Sequence, residues 1–399
     1  MSYSYDSAGR MTSATTAQGE TAIAYDAAGH IAQITYPNGR SLAYGYDDAG
    51  RRTSMTDQDG HQQNYSYDSA GRLHTLGDES GTLVTYSYDA GGNLAREDKA
   101  NGTWTTYSYD AASHLTAIDN HAPSGSVSSF VHYGYDDAGL RITQDTQDGH
   151  WAYGYDASGQ LTAADFTSIK PGLADKHLSW TYDAAGNRTQ SVEDGVVTHY
   201  TVNSLNQYTQ VGDETFTYDA DGNMVTRTGP VGTTTYSYDA NNRISGITTP
   251  DGHSTTYEYD IFGNRSAQVQ DGVRTEYLND PSGLGNLVAS FDTAGVATSH
   301  YQYGLGLETA ADTSGSHSYY EADGVGSVTA LTNVGGATAN SYAYTPFGAE
   351  LYGNESIANS FEFNGSLGVS TDPSGLTNMR AREYDPLLGK FCRKTQLQD

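Results

Sequence analysis

The sequence predicts an all-β fold: antiparallel β-hairpin repeats forming a curved or spiralling β-ribbon. Three observations predict it. A Tyr-Asp pair returns about every 21 residues, with aspartates at Asp6, Asp26, Asp47, Asp68, Asp89, Asp110, Asp136, Asp156, Asp183, Asp219, Asp239 and Asp260. A fixed period in this range marks stacked copies of one supersecondary unit. Each copy also carries the same order of aromatic and turn-forming residues. Finally, no stretch shows sustained helical periodicity, and about two dozen short segments separated by turns fit a chain of strands. The widest gap, between Asp183 and Asp219, contains a decayed copy at Val202-Asn203.

Within a unit the elements follow in order. Two residues before the Tyr stands another aromatic in eleven of the twelve units, among them Tyr65, Trp180 and Phe216, with Ile23 the exception. A spacing of two puts both rings on one face of a first strand and the small residue between them on the other. Three residues after the Asp comes Gly, replaced by Ser113 and Asn242 in two units. An Asp that opens and a Gly or Asn that closes suit a short hairpin loop. The second strand then begins, with Leu73, Leu94, Leu115, Leu161 or Ile244 at the fifth position beyond the Asp. A second turn follows at Asn38-Gly39, Asp59-Gly60, Asn101-Gly102, Asp148-Gly149, Asp194-Gly195, Asp251-Gly252 and Asp271-Gly272. These read as two-residue hairpin turns with positive φ at both central residues. One conflict stands: Leu73 and Leu76, or Ile244 and Ile247, are three apart, which in a flat strand places them on opposite faces. A bulge would reconcile them.

Composition agrees with a thin wall. There are 33 Tyr and 46 Gly but only 9 Phe and 5 Met. A single-layer ribbon has no thick core, and Tyr supplies apolar ring area while its hydroxyl stays polar. The formal net charge of −28, from 48 acids against 20 Lys plus Arg, reflects turn chemistry. It argues against nucleic acid and anionic membranes as partners. No apolar run reaches membrane-spanning length, so membrane insertion is not expected. No signal peptide is visible: Met1 leads at once into Ser2-Tyr3-Ser4-Tyr5-Asp6, and the chain reads as cut from something longer. A single cysteine, Cys392, excludes an intrachain disulfide.

After residue 276 the rhythm changes, which divides the chain into a repeat ribbon, 1–276, and a less regular region, 277–399. The latter contains Asp323-Gly324-Val325-Gly326-Ser327, then Tyr344-Thr345-Pro346-Phe347-Gly348, then Arg380-Ala381-Arg382-Glu383-Tyr384-Asp385-Pro386-Leu387-Leu388-Gly389-Lys390-Phe391. With these motifs in this order, the chain resembles YD-repeat proteins of the Rhs family, related to teneurins and to the C subunits of insecticidal toxin complexes. Its carboxy-terminal part is similar to the Rhs repeat-associated core. The resemblance implies a β-ribbon wound into a hollow shell, a core region sealing one end, a carboxy-terminal toxin held inside, and an aspartyl autoprotease that releases it. It also implies a protein secreted from, or displayed on, a bacterial cell.

Strand counting qualifies the shell. About 26 strands spaced ~4.8 Å apart make a ribbon of roughly 125 Å, about one turn of ~40 Å diameter. This is a partial shell. The protease is not expected either, because Cys392 to Asp399 replaces the family's acidic step with basic and polar residues. The two Asp-Pro-Ser-Gly-Leu sequences, at Asp280 and Asp372, read as tight turns. Asp57-Gln58-Asp59-Gly60 lacks the remaining ligands of a calcium loop. Gly304-Leu305-Gly306 lacks the third glycine and helix of a phosphate loop. No catalytic, cofactor or metal residue is therefore expected. The reading is a structural shell segment that encapsulates or displays an effector domain absent from this chain. Its partners would be that toxin or effector domain, further shell repeats of a longer parent protein, and secretion machinery. A carbohydrate-binding adhesion ribbon with glycan partners is the alternative, and a self-cleaving aspartyl protease core the second.

Overall fold

The computed structural model describes residues 2–283, 285–380 and 382–392. Thirty-four strands, from β1 (Ser2–Tyr5) to β34 (Glu350–Asn354), form one antiparallel sheet. Each strand pairs with its neighbours in sequence, from the first pairing to the last. The two end strands pair on one side only, so the ribbon is not closed.

The bulge is present, and it recurs. Tyr67 lies opposite Leu73 and Ser66 opposite Thr75, which leaves His74 as the extra residue. The same slip separates Tyr109–Leu115 from Ser108–Ala117, and Tyr238–Ile244 from Ser237–Gly246. The extra residue turns Leu73 and Leu76 to one face, where both join a cluster with Tyr86. Beside the bulge the second aromatic of most units fastens the preceding hairpin. The hydroxyls of Tyr67, Tyr88, Tyr182 and Tyr259 donate to the carbonyls of Arg52, Leu73, Leu161 and Ile244, each at 2.7 Å. Removing one such hydroxyl, as in Tyr259→Phe, should cost about 1–1.5 kcal/mol by stranding a buried carbonyl. Urea denaturation would measure it.

The Asp organises the turn. In one unit the Asp68 N–H donates to the Arg72 carbonyl at 2.9 Å and the Gly71 N–H returns to the Asp68 carbonyl at 3.0 Å. Asp68 Oδ1 accepts from the N–H groups of Ala70 and Arg72, both at 2.9 Å. Gly71 takes φ 82°, the left-handed conformation that closes the loop. Asn203 builds the same turn, accepting from Leu205 and Gln207 with Asn206 at φ 60°, so the decayed copy is a structural unit. The second turns depart from expectation. Only Asp194-Gly195 and Asp271-Gly272 have both φ positive; in the other five pairs the glycine alone does. In four of the five the reason is loop length: Tyr36, Asp57, Lys99 and Thr249 each accept from the glycine three residues on, giving a longer loop that needs only one left-handed residue, whereas Gly149 already pairs with Thr146 across the turn.

The ribbon overlaps itself. The Tyr36 hydroxyl donates to the Asn279 carbonyl at 2.5 Å, Gln63 to the Tyr301 carbonyl at 2.8 Å, and Ser129 to Glu321 at 3.0 Å. Ser129 lies on β13 (Val127–Tyr135) and Glu321 on β31 (His317–Ala322), eighteen strands later. At ~4.8 Å per strand one wind there is roughly 85 Å around. The change of sequence rhythm at 276 is no break in the sheet, because β27 (Val273–Asp280) runs through it. After Asn354 the chain leaves the ribbon. A 3-10 turn (Gly365–Leu367) leads into four short strands, β35 (Ser370–Thr371), β36 (Thr377–Met379), β37 (Arg382–Asp385) and β38 (Lys390–Phe391). This terminal sheet packs Leu376, Leu388 and Cys392 against Phe216, Met224, Tyr236, Ile244 and Tyr257 of the ribbon. It also touches Arg188 and Asn286 at either end of that arc, so it lies on the concave side.

Candidate functional site: arginine clasps between the winds

The fifth position after the Asp is apolar in most units, but four units carry arginine there: Arg52, Arg141, Arg188 and Arg265. In each, the aromatic three residues before the Asp stands beside the guanidinium. The distances to ring centres are 5.7 Å for Tyr44, 3.8 Å for Tyr133, 5.6 Å for Trp180 and 3.8 Å for Tyr257. Bulge and strand spacing hold the pair on the concave face, where the aromatic is mostly buried and the guanidinium must find a partner.

Arg52, Arg188 and Arg265 bond chain that arrives about 105 to 230 residues later, in the second wind or the terminal sheet, and Arg141 acts on the second wind through its charge. Arg52 forms an ion pair with Asp280, while the Tyr44 hydroxyl donates to Asp280 Oδ1 at 2.9 Å. Arg265 repeats the arrangement on the terminal sheet. Its Nη1 is 3.7 Å from Asp372 Oδ2 and its Nη2 is 3.4 Å from Glu383 Oε1, and the Tyr257 hydroxyl donates to Asp372 Oδ2 at 2.8 Å. Arg141 faces the charge of Asp323, next to which the Tyr133 hydroxyl accepts the Gly324 N–H at 2.7 Å. Arg188 donates to the Leu388 carbonyl at 3.0 Å and covers the Phe347 ring at 3.9 Å.

Asp280 and Asp372, the two Asp-Pro-Ser-Gly aspartates, thus play one role. Each caps its own turn through Oδ1, from Ser282 at 3.0 Å and Ser374 at 2.9 Å, and offers Oδ2 to the clasp. Leu284 lies outside the described residues. Asp385, nearby, receives Arg227 at 2.8 Å and the N–H groups of Leu387 and Leu388 at 2.9 and 3.1 Å. Burial pushes the Asp385 carboxyl up despite Arg227, and it also pushes the Cys392 thiol up, helped by Asp385, Glu383 and Asp372. Such a thiol is protonated and hidden. The carboxylates serve as acceptors for fixed donors, which is chemistry suited to holding two bodies together. The segment Arg393 to Asp399, on which the sequence argument about self-cleavage rested, lies outside the described residues.

Other singled-out residues belong to the seam between winds. Asp57 caps its turn on Asp59 and His61, both within 3.0 Å, and meets His300 of the second wind at 3.2 Å. Gly304 is glycine because a Cβ there would overlap the Tyr86 hydroxyl. Among the described residues no three His, Cys, Asp or Glu side chains are grouped to hold a metal. The first aromatic of the unit is buried in the wall at Tyr86, Tyr133, Tyr236 and Tyr257, which withholds those rings from stacking on a glycan. Sequence reasoning missed the clasps, although arginine in a slot that sister units fill with Leu or Ile was their signal. It also missed turns at Asp292, Asp312, Asp323 and Asn333, where the Asp/Asn-x-x-Gly spacing persists without tyrosine.

Comparisons with known proteins agree with this architecture. A family model described as Teneurin YD-shell matches residues 147–398, and one described as RHS Repeat matches residues 25–62 and 67–103. The tRNA3(Ser)-specific nuclease WapA of Bacillus spizizenii is 28% identical over 224 residues, 54% of this chain and 9% of that protein. The tRNA nuclease WapA of Bacillus subtilis is 26% identical over the same shares. Among solved structures, the Photorhabdus luminescens Tc holotoxin pore superposes with a TM-score of 0.81 at 17% identity, covering 98% of this chain and 23% of that one. The TcdB2–TccC3 structure gives 0.81 at 17%, covering 97% and 23%. The chain therefore spans about a tenth of the curated relatives and a quarter of the structural neighbours, and the structural likeness is one of fold.

Proposed function

Since the chain belongs to the teneurin YD-shell family, we propose that it is a non-catalytic wall segment of a polymorphic-toxin shell. In this reading it encapsulates or displays an effector domain carried by a longer parent protein. The observation that carries it is the terminal sheet, clasped by Arg188, Arg227 and Arg265 across the concave side of a ribbon whose two end strands stay open. A wall closed on one side and extendable on the other is a part of a container. Residues 1–276 supply the wall, and residues 277–399 complete the overlap and the closure. The nuclease activity named for the curated relatives would reside in a separate effector domain, with further repeats of the parent completing the vessel. Secretion machinery or a cell-surface attachment would deliver it from a bacterium. The fold is consistent with this setting, and no helix among the described residues is long and apolar enough to cross a membrane.

The test is protease protection in the full parent protein. The effector should resist digestion in the intact parent and become sensitive once Arg265→Leu loosens the closure. An effector digested equally fast with and without the shell would overturn the reading.

A further inference from the structure

The clasp at Arg141 is open. At two sister positions the arginine and its aromatic neighbour meet on one carboxylate, Arg52 and Tyr44 on Asp280, Arg265 and Tyr257 on Asp372. Arg141 lies 3.8 Å over the Tyr133 ring, but the Tyr133 hydroxyl accepts the Gly324 N–H at 2.7 Å and leaves the Asp323 carboxylate alone. Among the described residues no ion pair and no hydrogen bond reaches the Arg141 guanidinium. Its Nε is sealed in; Nη1 and Nη2 are not, and Arg141 lines a cavity of about 410 Å³ between the two winds.

Asp323 lines the same cavity from the second wind. Its Oδ1 caps the turn, accepting from the N–H groups of Val325 at 3.0 Å and Ser327 at 2.8 Å. Its Oδ2 accepts nothing from the described residues and is not sealed in either. Burial pushes the Asp323 carboxyl up, while its turn bonds and the charge of Arg141 oppose the rise. A cation and an anion thus face one space without touching, each with hydrogen-bonding capacity unused, and leaving both so is costly. Water answers the two charges but not the walls. Tyr153, Tyr155, Tyr344 and Phe363 stand half-buried around the cavity and offer it ring surface.

We propose that this cavity binds an aromatic amino-acid unit, with its carbonyl or carboxylate oxygen on Arg141 Nη1 and Nη2, an N–H on Asp323 Oδ2, and its ring against the aromatic walls. One guanidinium and one carboxylate call for a ligand of balanced charge, because a net anion or a net cation leaves one of the two unanswered. An amino-acid unit carries the acceptor and the donor side by side, and both bonds are charge-assisted. The volume lies at the small end of ligand pockets, which run from about 300 to 1,000 Å³. The unit is either a free amino acid or a residue of a polypeptide lying along the concave side. Bound there, it completes the fourth clasp and ties β14 (Arg141–Thr146) to the turn that follows β31. The site stands on these groups and does not depend on the shell reading.

Calorimetry on the whole chain tests this with phenylalanine, N-acetylphenylalanine amide, phenylacetate and phenethylamine. Phenylalanine or the capped amide should bind about tenfold or more tighter than phenylacetate and phenethylamine, each of which answers one charge only. Arg141→Gln should weaken the better balanced probe about tenfold and leave phenethylamine unchanged. Asp323→Asn should weaken it by a similar factor and leave phenylacetate unchanged. Asparagine keeps the turn, as Asn333 does at the next one, accepting from Gly335 and Ala337. Tighter binding of phenylalanine assigns a free amino acid, and equal or tighter binding of the capped amide assigns a residue within a polypeptide. The site is overturned if neither balanced probe binds at millimolar concentration, if a single-charge probe binds as tightly as the balanced ones, or if either variant binds them like wild type.

Discussion

Arg265→Leu is expected to destabilise the protein by about 3–5 kcal/mol and to release the terminal sheet, because it strands buried carboxylates. The side chains of Arg265, Asp372 and Glu383 are 6%, 2% and 4% exposed. Arg265 is held charged although burial opposes it, since Tyr257, Asp372, Tyr259 and Glu383 surround it. Leucine is what sister units carry in this slot, at Leu73, Leu94 and Leu161, so the substitution introduces no steric conflict with the repeat. The loss is electrostatic, and it falls on the partners left behind. A triple variant that also carries Asp372→Asn and Glu383→Gln should therefore recover most of the stability, as neutral groups tolerate the site without a cation. Replacing an exposed turn arginine such as Arg51, which pairs with Asp47 at the surface, should have a far smaller effect. Denaturant titration gives the magnitude. Hydrogen exchange over residues 370–392 shows whether the terminal sheet opens before the ribbon. A clasp variant within error of wild type on both measurements would sink the account of how the closure is held.

The contrast between these arginines shows what was legible in the sequence. The hairpin unit, its period and the wall it makes follow from local chemistry. Asp and Gly act within four residues of their own position, Tyr reaches one unit back, and period-two alternation exposes the result. Even the bulge was required by the spacing of Leu73 and Leu76, although its location at His74 came only with the strand register. The overlap of winds is a different kind of fact. It depends on curvature accumulated over some twenty twisted strands, to which each residue contributes little, and no short motif encodes it. The clasps straddle the two cases. Their position in the unit is local and readable, but their partners at Asp280, Asp323 and Asp372 become neighbours only after the ribbon has wound. Buried polar residues of the seam left no sequence mark at all. Glu97, Lys99 and Glu308 look like the surface charges of any strand until the second wind covers them.

That last cluster should make the seam acid-stabilised. Glu97 and Lys99 lie on β10 (Leu94–Lys99) of the first wind, and Glu308 on β30 (Leu307–Asp312) of the second. The Tyr86 hydroxyl donates to Glu308 at 2.9 Å, Tyr107 bonds Glu97, and Lys99 donates to the Tyr320 carbonyl at 2.7 Å. Two buried carboxyls thus share one ammonium. Burial, and then the charge of Glu97, push Glu308 up to about 8, and burial pushes Glu97 up as well. A carboxyl whose pKa is higher folded than unfolded binds its proton more tightly in the native state. Its stabilising effect is complete below the ordinary value of 4.5 and is lost as pH rises towards 8. Burial acts in the same direction on Asp260, pushed to about 6, and on Glu362, pushed to about 7. The exposed turn aspartates oppose this only in stronger acid, since hydrogen bonds hold carboxyls such as Asp68 below the usual 3.8. Stability towards urea should accordingly fall as pH rises from about 5 to about 9, and fall again in strong acid. Glu308→Gln keeps an acceptor for Tyr86 while removing that group's titration, so it should make the alkaline limb shallower, with Asp260 and Glu362 still contributing, and leave the acid limb unchanged. Stability that climbs from pH 5 to 9, or an unaltered slope in the glutamine variant, would refute a seam governed by these carboxyls.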